Sequence, residues 1–218
     1  MEPIPEFGPI EVKRREGDEA FHDGARNLGF DLAEFWRWNC SDLVSNATSG
    51  ILAEYLVAKA RDVADGVREE WAAYDLATAD GTRIEVKSAA YIQTWHQNEL
   101  SSITFRIPRT RAWDKDSNRQ SDEVRRQADV YVFAVLAHQN QSSIDPLDVS
   151  QWDFLIVPTA QLDNRTRSQH SITLSSLRAL AGEPVRYSDL RHTVQEQAET
   201  QRSLSKRALQ TVQSAIDR

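Results

Sequence analysis

The stretch from Trp71 to Ala90, WAAYDLATADGTRIEVKSAA, decides how this chain folds. Asp80–Gly81 is a two-residue turn signal, because Asp and Gly tolerate the positive φ that tight hairpins need. It predicts an antiparallel pair, with Trp71–Thr78 leading in and Thr82–Ala89 returning. Side chains alternate along the returning strand. Ile84, Val86 and Ser88 point one way; Arg83, Glu85 and Lys87 point the other. Glu85 and Lys87 therefore share a face. Pairing Ala79 with Thr82 carries Asp75 opposite about Val86, and so beside Glu85 if twist or a bulge allows.

Upstream, Ser49–Gly50 opens a helix whose Ile51, Leu52, Tyr55, Leu56, Ala58 and Val63 recur near the helical period. Glu54 borders that apolar face without a Lys or Arg at i+3 or i+4. It is either an exposed rim residue or a carboxylate aimed across at Asp75 and Glu85. Residues 1–24 are rich in Pro and Gly and read as an irregular lead-in. The aromatics Phe30, Phe35, Trp36 and Trp38 read first as core or interface packing, and only second as a base-stacking platform.

Downstream, Ser101–Ile107 suits a third strand, 108–120 a polar loop, and Asp122–Ala128 a short helix. Val130–Leu136 is seven consecutive apolar residues, the pattern of a strand buried on both faces. Trp152–Val157 repeats that pattern, Ser175–Ala181 reads as a short helix, and Asp189–Ile216 as a long one. The long helix carries only a thin apolar stripe (Val194, Ala198, Leu204, Ala208, Val212, Ile216), which packs on the domain edge or meets a partner chain. The order predicts an α/β fold, a mixed sheet flanked by helices. It divides into a lead-in over 1–48, a core over 49–160 and a C-terminal helical extension over 161–218.

Composition narrows the function classes. The 218 residues are 27% charged, with 26 Lys and Arg against 33 Asp and Glu, a net charge of −7. That balance disfavours a passive nucleic-acid coat, which needs a basic footprint. It is compatible with an enzyme whose acidic residues hold a metal ion. No apolar run reaches the roughly 18 residues of a membrane span, and Met1–Gly8 lacks the pattern of a secretory signal. One cysteine, Cys40, excludes a disulfide within these residues and a multi-cysteine zinc site. The five histidines are scattered, and no phosphate-cradling glycine motif occurs, so no nucleotide cofactor is expected. A reducing cytoplasm is the expected compartment.

The chemistry lies in Asp75, Glu85, Val86 and Lys87. Two carboxylates with the Val86 carbonyl suit a hard divalent cation. The neighbouring ammonium of Lys87 suits holding a water or neutralising charge that grows on phosphorus. The plain alternative is a solvated strand face. A position between two strands argues against it, because a sheet centre does not ordinarily carry such charges.

Glu54, Asp75 and Glu85–Val86–Lys87, in the order helix, hairpin, strand, helix, strand, resemble the PD-(D/E)xK nuclease superfamily over roughly residues 49–160. Tyr74 departs from the pattern, which has Pro before the first Asp. The resemblance implies a restriction endonuclease-like fold with an αβββαβ core. It implies Asp75 and Glu85 as metal ligands, Lys87 as the residue that positions the hydrolytic water, and Glu54 as a ligand of a second metal or an orienter of that water. The cofactor implied is Mg²⁺, with Mn²⁺ able to substitute. The reaction implied is hydrolysis of DNA phosphodiester bonds, by a homodimer if both strands are cut, in a restriction or defence role. Ser88 and Gln93 follow the motif and are candidate supporting residues.

Between Ser101 and Ala128 seven basic residues face four acidic ones. Arg109, Arg111, Lys115 and Arg119, near Trp113, are candidate phosphate contacts, and Gln97 and Asn98 candidate base readers. The same segment reads equally as a solvated loop with Asp122–Arg126 as a helical ion pair. Two other functions stay open: a non-catalytic binding or assembly module of a defence or repair complex, and a structural α/β protein with a chance motif.

Overall fold

Every residue of the apolar run VYVFAVL is buried, and a strand covered on both faces needs a layer on each side. The computed structural model, which describes residues 7–114 and 117–216, supplies both layers. The elements are, in order, β1 (Ala20–Asp23), β2 (Arg26–Asp31), α1 (Leu32–Cys40), α2 (Asn46–Ala60), β3 (Leu76–Ala77) and β4 (Arg83–Ala90). They continue with β5 (Thr104–Arg106), β6 (Thr110–Asp114), β7 (Arg119–Arg125), β8 (Val130–Leu136) and β9 (Trp152–Pro158). α3 (Thr159–Asp163), β10 (Ser171–Thr173), α4 (Leu174–Ala181) and α5 (Tyr187–Ile216) complete the chain.

The central sheet has the order β3-β4-β8-β9. β4 and β8 are parallel, with Glu85 beside Tyr131 and Lys87 beside Phe133; the outer pairs are antiparallel. On one face Ile84, Val86, Val130, Val132, Trp152 and Phe154 pack with Ala53 and Val57 of α2 and Leu190, Val194 and Ala198 of α5. On the other, Tyr131, Phe133, Val135 and Leu155 pack with Phe105, Ile172, Leu162 and Leu177. Each large apolar side chain so covered contributes about 1.5–3 kcal/mol. Leu204 of α5 is only half-buried and Ala208 is exposed, so the helix docks by its N-terminal half; the side chains of Val212 and Ile216 lie outside the described residues. Among the described residues no helix is long and apolar enough to cross a membrane.

The mixed sheet flanked by helices matches expectation, but the αβββαβ order does not. The third expected strand, seen as β5, pairs with β10 and lies over the sheet instead of extending it, because Ile103, Phe105 and Ile107 bury against the second face. Phe105 meets Phe133 edge-on at 4.9 Å. The place beside β4 goes to β8. The helix expected over Asp122–Ala128 is strand β7, paired with β6 in a hairpin where a polar loop was expected. Arg126 explains the change: its side chain is fully buried, so no surface helix pair with Asp122 forms. It donates to the Ile107 carbonyl at 3.1 and 2.8 Å, to Asp163 at 2.5 Å, and to the Gln169 side chain and carbonyl at 2.9 Å each. The lead-in contains hairpin β1–β2, and the aromatics after it do not enter the core: α1 buries no residue, and Trp38 is 81% exposed.

The turn that decided the sequence reading is longer by one residue than expected. Thr78 N–H donates to the Thr82 carbonyl at 3.0 Å and Gly81 N–H to the Thr78 carbonyl at 2.9 Å, leaving a three-residue loop. Gly81 takes φ +80°, as a left-handed closing position requires. A Cβ there would meet nothing within 4 Å, so the backbone alone sets the cost of a side chain. Gly81→Ala is expected to lose about 1 kcal/mol in urea unfolding; no loss would show that the turn is not held in this form. Arg202 of α5 clasps the loop, donating to Asp80 at 2.6 Å and to Thr82 Oγ1 at 2.8 Å. At the start of β4, Arg83 grips Asp129 at 3.0 and 2.8 Å, which ties β4 to the segment entering β8.

Candidate active site

The three-residue loop pairs Leu76 with Ile84 and Ala77 with Arg83, so the register runs Asp75 to Glu85 instead of to Val86. β3 holds only two residues, and beyond it the edge of β4 is open. Asp75 fills that opening. Its N–H donates to the Ile84 carbonyl at 3.1 Å, and its Oδ2 accepts the Val86 N–H at 2.7 Å. A residue's N–H and C=O leave a strand on the same side. The Val86 carbonyl therefore points out of the edge that Asp75 occupies.

Lys87 Nζ lies 2.5 Å from Glu85 Oε1, with the two side chains 32% and 19% exposed. Burial pushes the Asp75 carboxyl up to about 7, and the negative charges of Glu85 and Glu54 push the same way. The Val86 N–H and the Lys87 charge oppose the rise. Asp75, Glu85 and Lys87 are thus brought together, as the sequence predicts.

Glu54 stands near enough to be felt by Asp75, but its carboxylate is held by Arg68, one contact being a short Nε–Oε2 bond and the other Nη2–Oε1 at 3.0 Å. The partner that no i+3 or i+4 position supplies comes from fourteen residues away. Glu54 is therefore neither a free rim residue nor an unengaged ligand. Among the described residues no three Asp, Glu, His or Cys side chains form a metal-holding group. The donors at the β4 edge are two carboxylates and one carbonyl.

The site residues line two hollows. Glu85 and Lys87 line a recess of about 100 Å³ with Arg106, Gln127 and Tyr131. Asp75 and Glu54 line a cleft of about 460 Å³ between α2 and the 63–77 segment. Arg68, Arg106 and Tyr131 were not anticipated. Arg106 carries the one available signal, a basic residue between the buried Phe105 and Ile107. Burial, with the Glu85 charge, raises the Tyr131 hydroxyl above the ordinary phenol range, so it stays a neutral donor.

A carboxyl raised in the folded state binds its proton more tightly there than in the unfolded chain. The stability it contributes is present at low pH and is lost as pH rises through about 7. Asp75→Asn is therefore expected to change the stability of metal-free protein little near pH 4. Its stabilising effect should grow up to about pH 7 and level off at about 4 kcal/mol. Urea unfolding across that range checks this, and a pH-independent effect would contradict it.

The other candidates fare differently. Arg109 is bound to Asp163 at 3.0 Å, the carboxylate that also holds Arg126. Arg111 and Arg119 are exposed on β6 and β7, and Lys115 lies outside the described residues. Arg125 pairs with Glu123 at 3.0 Å. The positive surplus of the 101–128 segment is thus partly internal. Gln97 accepts the Gln93 N–H at 2.7 Å and donates to Ser101 at 2.9 Å, bracing its own loop. Gln93 is buried and donates to the Ala90 carbonyl at 3.0 Å.

The family model described as bacteriophage T4 endonuclease IV matches residues 33–176, about two thirds of the sequence. The chain belongs to the bacteriophage T4 endonuclease IV family. The matched span holds the whole central sheet together with Glu54, Asp75, Glu85 and Lys87. Membership of the endonuclease IV family supports a nuclease, while the likeness to the PD-(D/E)xK superfamily rests on the site residues themselves. No curated protein matches the sequence.

Proposed function

We propose that the protein is a metal-dependent DNA endonuclease of PD-(D/E)xK type whose site is the open edge of β4. The observation that carries this is the convergence of Asp75, Glu85 and Lys87 where β3 ends. A buried carboxyl pushed up by two neighbouring carboxylates is a site short of positive charge, which a divalent cation corrects. Asp75, Glu85 and the Val86 carbonyl are the groups that would hold Mg²⁺ or Mn²⁺. When bound, the ion supplies electrostatic stabilisation of the charge that develops on the phosphoryl oxygens.

Lys87 lies on the recess side of Glu85, where its ammonium positions the attacking water and stabilises the hydroxide character it gains as its proton passes to solvent. Arg106, exposed beside the same recess, is placed to meet a phosphate oxygen. The Tyr131 hydroxyl is a neutral donor at the same wall. Arg68 fixes Glu54, which then acts as a fixed negative charge near Asp75, and reaches an ion only by leaving Arg68. Family membership supports the endonuclease class, and with it DNA as substrate. Cutting of both strands would require a homodimer, since one such site hydrolyses one strand at a time. A restriction or defence role, in the cytoplasm, is the biological setting that goes with this reading.

The test is incubation of pure protein with supercoiled plasmid and Mg²⁺, with and without chelator. Metal-dependent nicking or linearisation that Asp75→Ala abolishes is the expected result. Cutting that persists in Asp75→Ala would remove the site, and no cutting with either Mg²⁺ or Mn²⁺ would favour a non-catalytic binding module on the same fold.

A further inference from the structure

We propose that the cleft of about 460 Å³ beside Asp75 receives a nucleobase of the substrate, next to the bond that is cut. This rests on the endonuclease reading and adds the group that the cleft selects. The cleft shares Asp75 and Glu54 with the candidate site, so whatever fills it borders the carboxylates proposed to hold the metal. Its walls are mostly apolar: Ile51, Ala58, Val63, Ala64 and Val67. Such walls do not suit a charged sugar–phosphate chain. They suit the one part of a nucleotide that is flat and has apolar faces.

Tyr55 stands on the α2 wall, 53% exposed, with a ring free to stack on a base. Arg68, anchored on Glu54, presents a guanidinium plane at the same end. The volume falls within the range of small-molecule sites, and a base reaches such a pocket only from outside the helical stack. The acidic balance of the chain fits this mode of holding DNA. Stacking adds affinity without a basic footprint.

The experiment uses the full chain in chelator, so that binding is read without cleavage. The probe is an oligonucleotide carrying 5-iodouracil, single-stranded or in a duplex, irradiated and mapped by mass spectrometry, with affinity measured by fluorescence anisotropy. The expected result is a crosslink at Tyr55. Tyr55→Ala should weaken binding by about 5- to 140-fold, the range that stacking of one base supplies. Val67→Trp, at an exposed position on the cleft wall, should fill the space and remove the crosslink while Tyr55 remains. A crosslink from duplex as well as single strand supports extrusion of the base, and one from single strand alone supports capture of a base already unstacked. Bound oligonucleotide that crosslinks only elsewhere, at Trp95 or Trp113 for example, would overturn the pocket. So would affinity unchanged in both variants, and plasmid cutting would then still stand on its own. No binding of either probe would overturn the pocket, while the endonuclease reading stands or falls on metal-dependent plasmid cutting.

Discussion

Alanine at position 87 is expected to slow DNA cleavage by about 10²–10⁴-fold while leaving the fold intact. The size follows from the role: a side chain that positions the water and stabilises its hydroxide character contributes that much to a hydrolytic rate. The intact fold follows from the location. Lys87 is a third exposed and its bond is to Glu85, itself on the open recess, so removal strands no fully buried charge. Stability should change by less than about 1 kcal/mol, as for other partly exposed pairs. Lys87→Arg should stay impaired, because a planar, forked guanidinium does not place its charge where the compact ammonium does. Initial rates of plasmid nicking, with circular dichroism as the control for folding, decide the matter. A Lys87→Ala protein that nicks at the wild-type rate would take Lys87 out of the machinery.

Arg126→Ala is expected to cost about 3–5 kcal/mol of folding stability, the largest single loss foreseen for any side chain away from the site. The guanidinium is fully buried and joins three pieces of chain: the Ile107 carbonyl after β5, Asp163 at the end of α3, and Gln169 before β10. Truncation leaves carbonyls without donors in a place water does not reach, and among the described residues Asp163 would keep Arg109 as its ion-pair partner. Native stabilities are about 5–15 kcal/mol, so the loss is a large share of the total. Arg126→Lys should recover little, since one ammonium cannot span acceptors that a planar fork reaches together. Urea unfolding measures it. A loss under about 1 kcal/mol would mean that this network does not hold the layer over the second sheet face.

These two residues also mark how far the sequence could be read. Glu85 and Lys87 were legible because strand alternation is local, and an Asp–Gly turn announces the hairpin that returns to Asp75. The turn length was not legible. A two-residue and a three-residue loop share the same Asp–Gly signal, and the one-residue difference moved Asp75 from opposite Val86 to opposite Glu85. The buried strands β8 and β9 were legible from unbroken apolar runs. The neighbour of β4 was not, because the alternation in Ser101–Ile107 says that one face is buried without saying whether the strand joins the sheet or lies across it. Arg126 read as half of a surface pair because nothing local announces acceptors at Ile107, Asp163 and Gln169. For the same reason Arg68 went unseen behind Glu54, and Tyr131 passed as an ordinary core residue.

The acidic balance of the chain is partly accounted for by this arrangement. Glu54, Asp75 and Glu85 are gathered within electrostatic reach of one another, with Lys87 and Arg68 as their counter-charges. That concentration would attract a divalent ion and, through it, a phosphate.

The most direct test is where such an ion sits. Crystals soaked in Mn²⁺ and measured for anomalous scattering should show a peak at the open edge of β4, about 2–2.5 Å from carboxylate oxygens of both Asp75 and Glu85. The Val86 carbonyl should complete the protein ligands, and the peak should vanish in Asp75→Ala. A peak bound by only one of the two carboxylates, or none at this edge under saturating Mn²⁺, would contradict the shared site on which the proposed chemistry depends.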